Sequence, residues 1–141
     1  QSADPARWNP NEVDFIRKTI DNVLSTYSVD RNRIVVHGQQ AGGSMSYLVG
    51  FAHRDLIRGV APLDAALPAR MAIKANDPGE RLAFYAFIVK ESKLAKASAA
   101  GVKRLTEAKY PVTTVHLNDK AGLSDSDRLQ FLQWVDSLDR I

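Results

Sequence analysis

Residues 81–89 read Arg-Leu-Ala-Phe-Tyr-Ala-Phe-Ile-Val, an apolar run with no polar break after its first position. A strand with one wet face alternates apolar and polar side chains. An unbroken run needs cover on both faces, as the strands of a parallel sheet have. Parallel neighbours cannot be joined by tight hairpins and need crossover connections, usually helices. The rest of the chain should therefore alternate strands with helices.

It does. Short β-rich runs recur at 33–37 (Arg-Ile-Val-Val-His), 56–63 (Leu-Ile-Arg-Gly-Val-Ala-Pro-Leu) and 112–117 (Val-Thr-Thr-Val-His-Leu). The first helix starts with Asn9 as N-cap, Pro10 at the first helical position and Glu12 three past the cap. Ile16, Ile20, Val23, Leu24 and Tyr27 follow at helical spacing, predicting one buried stripe that ends near Ser28. A second helix is expected over 41–52 and a third over 96–109, with Ala97, Ala100, Val102, Leu105 and Ala108 mostly on one side. Ser124 caps the last helix, which carries Leu129, Leu132, Val135 and Leu138 at spacings of three. Residues 64–80 hold Pro68, Pro78 and Gly79 and read as a loop with a helical turn near 69–75. The expected fold class is α/β, a mostly parallel sheet of about four strands flanked by helices. Residues 1–8 form a polar lead-in with Trp8 as the first anchor, and 9–141 form one domain. A chain of 141 residues is long enough to bury a core.

Between the first strand and the second helix stands Gly38-Gln39-Gln40-Ala41-Gly42, followed by Gly43. Gly38 is expected to end the strand. A strand, a tight glycine turn and a helix form the setting of the nucleophile elbow, where G-x-S-x-G puts a serine at the tip. Here the tip is Gln40, whose amide has no hydroxyl to deprotonate and cannot form an acyl-enzyme. Its amide and the backbone N–H of Ala41 are candidate binding groups. Asp64 lies at the carboxyl end of its strand, where sites of α/β sheets assemble, and reads as a pocket or loop-cap residue.

Other classes of chemistry are poorly supplied. The net charge is +3, and basic residues are scattered among acids, so a nucleic-acid face is not expected. There is no cysteine, which excludes disulfides and thiol chemistry. No apolar run reaches the roughly 18 residues of a membrane span. His37, His53 and His116 lack ligand spacing, so no metal is expected; His53 suits the carboxyl end of a helix. The glycines match neither the dinucleotide nor the phosphate-loop fingerprint, so no cofactor is expected. Asp119, Asp125 and Asp127 read as loop and helix-start residues. Ser44 and Ser46 follow the turn on a helix and read as packing residues.

The order of features extends beyond the turn. Tyr27-Ser-Val-Asp30, Arg33-Ile34, the glycine turn, Gly59-Val-Ala-Pro62, Leu67-Pro68, the apolar strand, Tyr110-Pro-Val112 and a last helix with Trp134 succeed one another. This order resembles the C-terminal part of an α/β-hydrolase, closest to secreted esterases and polyhydroxybutyrate-depolymerase-like proteins, and also the prolyl-oligopeptidase catalytic domain. The resemblance implies a nucleophile at Gln40, an acid among 90–93, where Glu91 is the one carboxylate, and a histidine near Ala121 or Gly122. No histidine stands there. Since a triad works as a unit, the expectation is a non-catalytic domain that binds or assembles within a larger hydrolase or protease. The alternative is an active esterase or peptidase with a displaced nucleophile or residues from a missing segment. The resemblance also implies a fuller sheet, leaving the 33–37 strand with an open edge. A homodimer or docking onto another domain is expected. The small-molecule ligand is not identifiable from sequence. No signal segment is visible; the esterase resemblance points to a secreted or periplasmic setting.

Overall fold

The run that demanded cover on both faces has it. β3 (Ala83–Val89) is buried at every position in the computed structural model, which describes residues 8–118 and 122–140. It stands in a four-stranded parallel sheet with β1 (Val35–Gln39), β2 (Gly59–Leu63) and β4 (Val112–Leu117), in the order β1-β2-β3-β4. Side chains along β3 alternate between two cores. Phe84 packs with Tyr47 and Val49 of α2 (Ala41–Ala52) and Leu105 of α3 (Ala95–Glu107). Tyr85 and Phe87 face Phe131 and Trp134 of α4 (Asp125–Ser137), with ring centroids 5.2 to 5.8 Å apart. α1 (Val13–Thr26) joins α2 and α3 on the first face through Ile16, Ile20 and Leu24. Among the described residues, α4 with its flanking Leu123 and Leu138 covers the second.

Two helix starts follow the sequence closely. Glu12 accepts from the Asn9 N–H at 2.7 Å and Asn9 Oδ1 accepts from Asn11, leading through a 3-10 turn at Pro10–Glu12 into α1. Ser124 Oγ accepts from the Asp127 N–H at 3.1 Å while Asp127 Oδ2 accepts from the Ser124 N–H at 2.9 Å. Each box satisfies backbone donors that a helix leaves orphaned.

Several boundaries and faces differ from the sequence expectation. β1 begins at Val35, not Arg33, and runs through Gly38 to Gln39, so the glycine does not end it. β2 begins at Gly59, because the N–H groups of Leu56 and Ile57 turn back to the His53 carbonyl. β3 begins at Ala83, α1 ends at Thr26 and α3 spans Ala95–Glu107. The turn expected near 69–75 is a single one at 69–70, where the Met71 N–H donates to the Pro68 carbonyl at 3.1 Å, and a 3-10 turn follows at Pro78–Glu80, opened by Asp77 Oδ1 accepting from Gly79 N–H. On α1, Val23 is 43% and Tyr27 66% exposed, so the stripe is buried only in part. α3 buries Ser98, Gly101 and Leu105, while Ala97 and Ala100 face out. On α4, Leu129 and Leu132 are exposed and the buried face is that of Trp134 and Leu138.

The first strand is an edge. Among the described residues nothing pairs with β1 on the side away from β2.

Candidate functional site

The carboxyl ends of the strands bring the sequence candidates to one side of the sheet. Gln40 follows β1, Asp64 follows β2 and Glu91 follows β3. The register sets Gln39 beside Leu63, so Gln40 and Asp64 are the next neighbours out. The Gln40 N–H donates to the Leu63 carbonyl at 2.9 Å, and the Asp64 N–H donates to the Phe87 carbonyl at 2.9 Å. Ladder bonds thus continue one residue past each strand.

Gln40 has φ 49° and ψ −114°, outside the regions that L residues ordinarily occupy. Such a backbone costs about 1–3 kcal/mol and persists only where its surroundings impose it. They do so here by crowding. A Cβ on Gly38 would overlap the carbonyl of Gly42, and one on Gly43 would overlap the Ala65 side chain. The chain leaves the strand, folds back over Gly38 and enters α2 without a residue to spare. Gly42 is different: a Cβ there would meet nothing nearer than Trp8 Nε1 at 3.6 Å. The exposed Gln40 side chain makes no cap for α2, whose first N–H groups have no intrahelical partner.

Asp64 has φ 48° and is 2% exposed, and its Oδ1 is buried without a hydrogen-bond partner. It therefore caps no turn through that atom. Glu91 is exposed in the turn between β3 and α3, beside Lys90, whose Nζ donates to Asn118 Oδ1 at 3.0 Å. Gly122 has φ 104° on the way into α4, while Ala121 and Asp119 lie outside the described residues.

The hydroxyls and imidazoles near the turn are occupied. Ser44 Oγ donates to the Ala66 carbonyl at 2.8 Å and Ser46 Oγ to the Gly43 carbonyl at 2.7 Å. His37 Nδ1 stands 2.6 Å from the Ala61 carbonyl, with its ring against Phe131 and Phe87. His53 is the C-cap of α2, at the end remote from Gln40, and His116 on β4 stands in register with Ile88 of β3. Beneath the turn, burial pushes the Tyr47 hydroxyl well above its ordinary range. No group of three or more potential metal ligands occurs among the described residues, and no described helix is long and apolar enough to cross a membrane.

Solved structures share this fold. A carboxylesterase from Bacillus cereus superposes with a TM-score of 0.72 at 18% identity, covering 98% of this chain and 67% of its own. One from Mesorhizobium loti gives 0.74 at 13%, covering 96% and 66%. An α/β hydrolase from a deep-sea metagenome gives 0.63 at 17%, covering 88% and 62%. The chain has the α/β-hydrolase fold, in part. It spans about two thirds of the length of these hydrolases. No protein-family model and no curated protein matches the sequence. Within this fold, β1, the turn at Gln40 and α2 follow one another as strand, tight turn and helix.

Sequence reasoning named Asp64 by its position but not its burial or its left-handed backbone. The signal was present: aspartate is among the few residues that tolerate φ above zero, and here it ends a strand buried throughout.

Proposed function

We propose that this chain is a non-catalytic α/β-hydrolase-like unit, serving as a binding or assembly module of a larger hydrolase or protease. The observation that carries this reading is Gln40 at the tip of the turn, with the strained backbone of an elbow and no hydroxyl. The nearby serines do not replace it, since Ser44 donates to the Ala66 carbonyl after β2 and Ser46 to the Gly43 carbonyl within α2. A general base must lie within hydrogen-bond reach of the proton it takes. His37 instead holds the Ala61 carbonyl, and His53 lies at the far end of α2. Gln40 and Asp64 remain as polar groups at the carboxyl edge suited to binding rather than turnover, Gln40 through its exposed amide.

Fluorophosphonates phosphonylate activated serines, so intact mass after treatment tests the reading. The parent chain is expected to stay unlabelled. Labelling of the parent overturns the proposal, and peptide mapping then locates the nucleophile. A Gln40→Ser variant reports separately whether a base and oxyanion donors persist; labelling only in that variant shows a turn that lost its nucleophile alone.

A further inference from the structure

The amino ends of the strands border a cavity of about 180 Å³, at the pole opposite Gln40 and Asp64. Arg58, Leu82 and Pro111 each stand one residue ahead of a strand, and all three line it. The sheet is already knit at this level. The Ala83 N–H donates to the Arg58 carbonyl at 3.0 Å and the Phe84 N–H to the Pro111 carbonyl at 2.9 Å. Arg81, Asn76 and Leu138 complete the lining named here. Asn76 is pinned twice, its N–H donating to the Ala108 carbonyl at 2.8 Å and its Nδ2 to the Lys109 carbonyl at 3.2 Å. β2, five residues and about 17 Å long, separates the cavity from Asp64.

The charge here is one-sided. Neither Arg58 nor Arg81 forms an ion pair among the described residues, because the carboxylates close by in sequence are committed elsewhere. Asp55 pairs with Arg17 at 2.9 Å, Glu80 with Arg54 at 2.9 Å and Asp139 with Arg33 at 3.1 Å, while Asp77 Oδ1 accepts from the Gly79 N–H. Arg58 is held in place, its Nη1 donating to the Arg54 carbonyl at 2.8 Å and its Nη2 reaching the Asp55 carbonyl at 3.4 Å. A carbonyl carries no net charge, so these bonds position the guanidinium and leave its charge uncancelled. Arg81 is exposed, with no side-chain hydrogen bond among the described residues, and keeps its whole fork of donors.

Two like charges at one cavity repel each other unless an anion joins them. A guanidinium fork matches a carboxylate, which it can grip through two parallel bonds. The rest of the wall calls for something else. Leu82 and Leu138, both buried, and Pro111 present apolar surface that an inorganic anion would leave uncovered. An apolar cavity of about 150 Å³ holds benzene, so this one has room for a single ring. We propose that the cavity binds a small aromatic monocarboxylate, its carboxylate on Arg81 and Arg58 and its ring against Leu82, Pro111 and Leu138. This site shares no residue with the Gln40 turn and goes beyond the reading of that turn.

The probe is benzoate, titrated into the full chain and followed by residue-resolved NMR. Benzyl alcohol, which keeps the ring without the charge, and inorganic phosphate, which keeps charge without the ring, form separate arms. Benzoate is expected to shift the Leu82 and Ala83 amides and the Arg58 and Arg81 Nε–H signals saturably, and to bind about tenfold or more tightly than either control. Arg81→Gln is expected to weaken benzoate about tenfold. Arg81 is exposed, and unchanged amide signals elsewhere verify that the variant folds as the parent does. Phosphate binding as tightly as benzoate overturns the proposal and means an adventitious ion only. Benzyl alcohol binding as tightly, shifts centred on Gln40 and Ala41, the absence of any saturable shift, or parental affinity in Arg81→Gln each overturn it too. Fluorophosphonate labelling reads the turn alone, so this proposal and the non-catalytic reading fail separately.

Discussion

Gly38 and Gly42 are equivalent in a G-x-x-x-G pattern and unequal in space. A side chain at Gly38 would collide with backbone that cannot move without unmaking the turn, whereas Gly42 has room. Gly38→Ala should cost about 2–3 kcal/mol, the upper range for overpacking. Gly42→Ala should be neutral or stabilise by up to about 1 kcal/mol through helix propensity. Urea midpoints of the two variants check the contrast; equal destabilisation would mean that the turn is not held by this overlap. A sequence records that glycine is present, not whether a neighbour requires it. The same limit applies to Gln40 and Asp64. Their identities were plain, while their left-handed backbones depend on bonds to Leu63 and Phe87 on adjacent strands.

Elements were legible where their signals are local. Asn9 and Ser124 capped their helices because a capping box spans four residues and needs no tertiary partner. The faces of α1 and α4 were less legible, since apolar spacing reveals a stripe but not whether something covers it. Long-range ties were not legible at all. Arg33 binds Asp139 at 3.1 Å and Asp136 at 3.3 Å, joining the approach to β1 to the end of α4. The hydrogen bond from Arg33 holds the Asp139 carboxyl below its ordinary value of 3.8. With the folded value depressed, its contribution is fully present above the unfolded pKa of about 3.9 and is lost as pH falls through the folded value. Melting temperature should therefore drop on acidification, and less steeply in Asp139→Asn. Both side chains are about a third exposed, so the difference should be small and should shrink in salt. Thermal melts near neutrality and at about pH 3 check it; identical slopes would show that the pair does not hold in solution.

At the scale of the molecule, the unbroken apolar run of 81–89 was enough to place a buried central strand and hence a three-layer sheet. Strand order was not in the sequence explicitly; the structure shows it as β1-β2-β3-β4. The sheet should open unevenly. β2 and β3 are buried throughout, while β1 is partly exposed and, among the described residues, pairs on one side only. Amides in the middle of β3 should exchange slowest, near the global unfolding limit, and the outward amides of β1 fastest. Exchange resolved by residue decides this, and equal protection across the sheet would mean that β1 is covered.

The segment after β2 has a mechanical consequence. Ser98 on α3 donates to the Ala65 carbonyl at 2.9 Å, and Ser44 on α2 donates to the Ala66 carbonyl at 2.8 Å. Ala65 is also the residue against which Gly43 closes. Two helices from successive crossovers are thus tethered to adjacent peptide units, and the strained turn bears on the same spot. Force applied to α3 would travel through one hydrogen bond to Ala65 and one packing contact into the turn, so thermal displacements of the two should be correlated despite their separation in the chain.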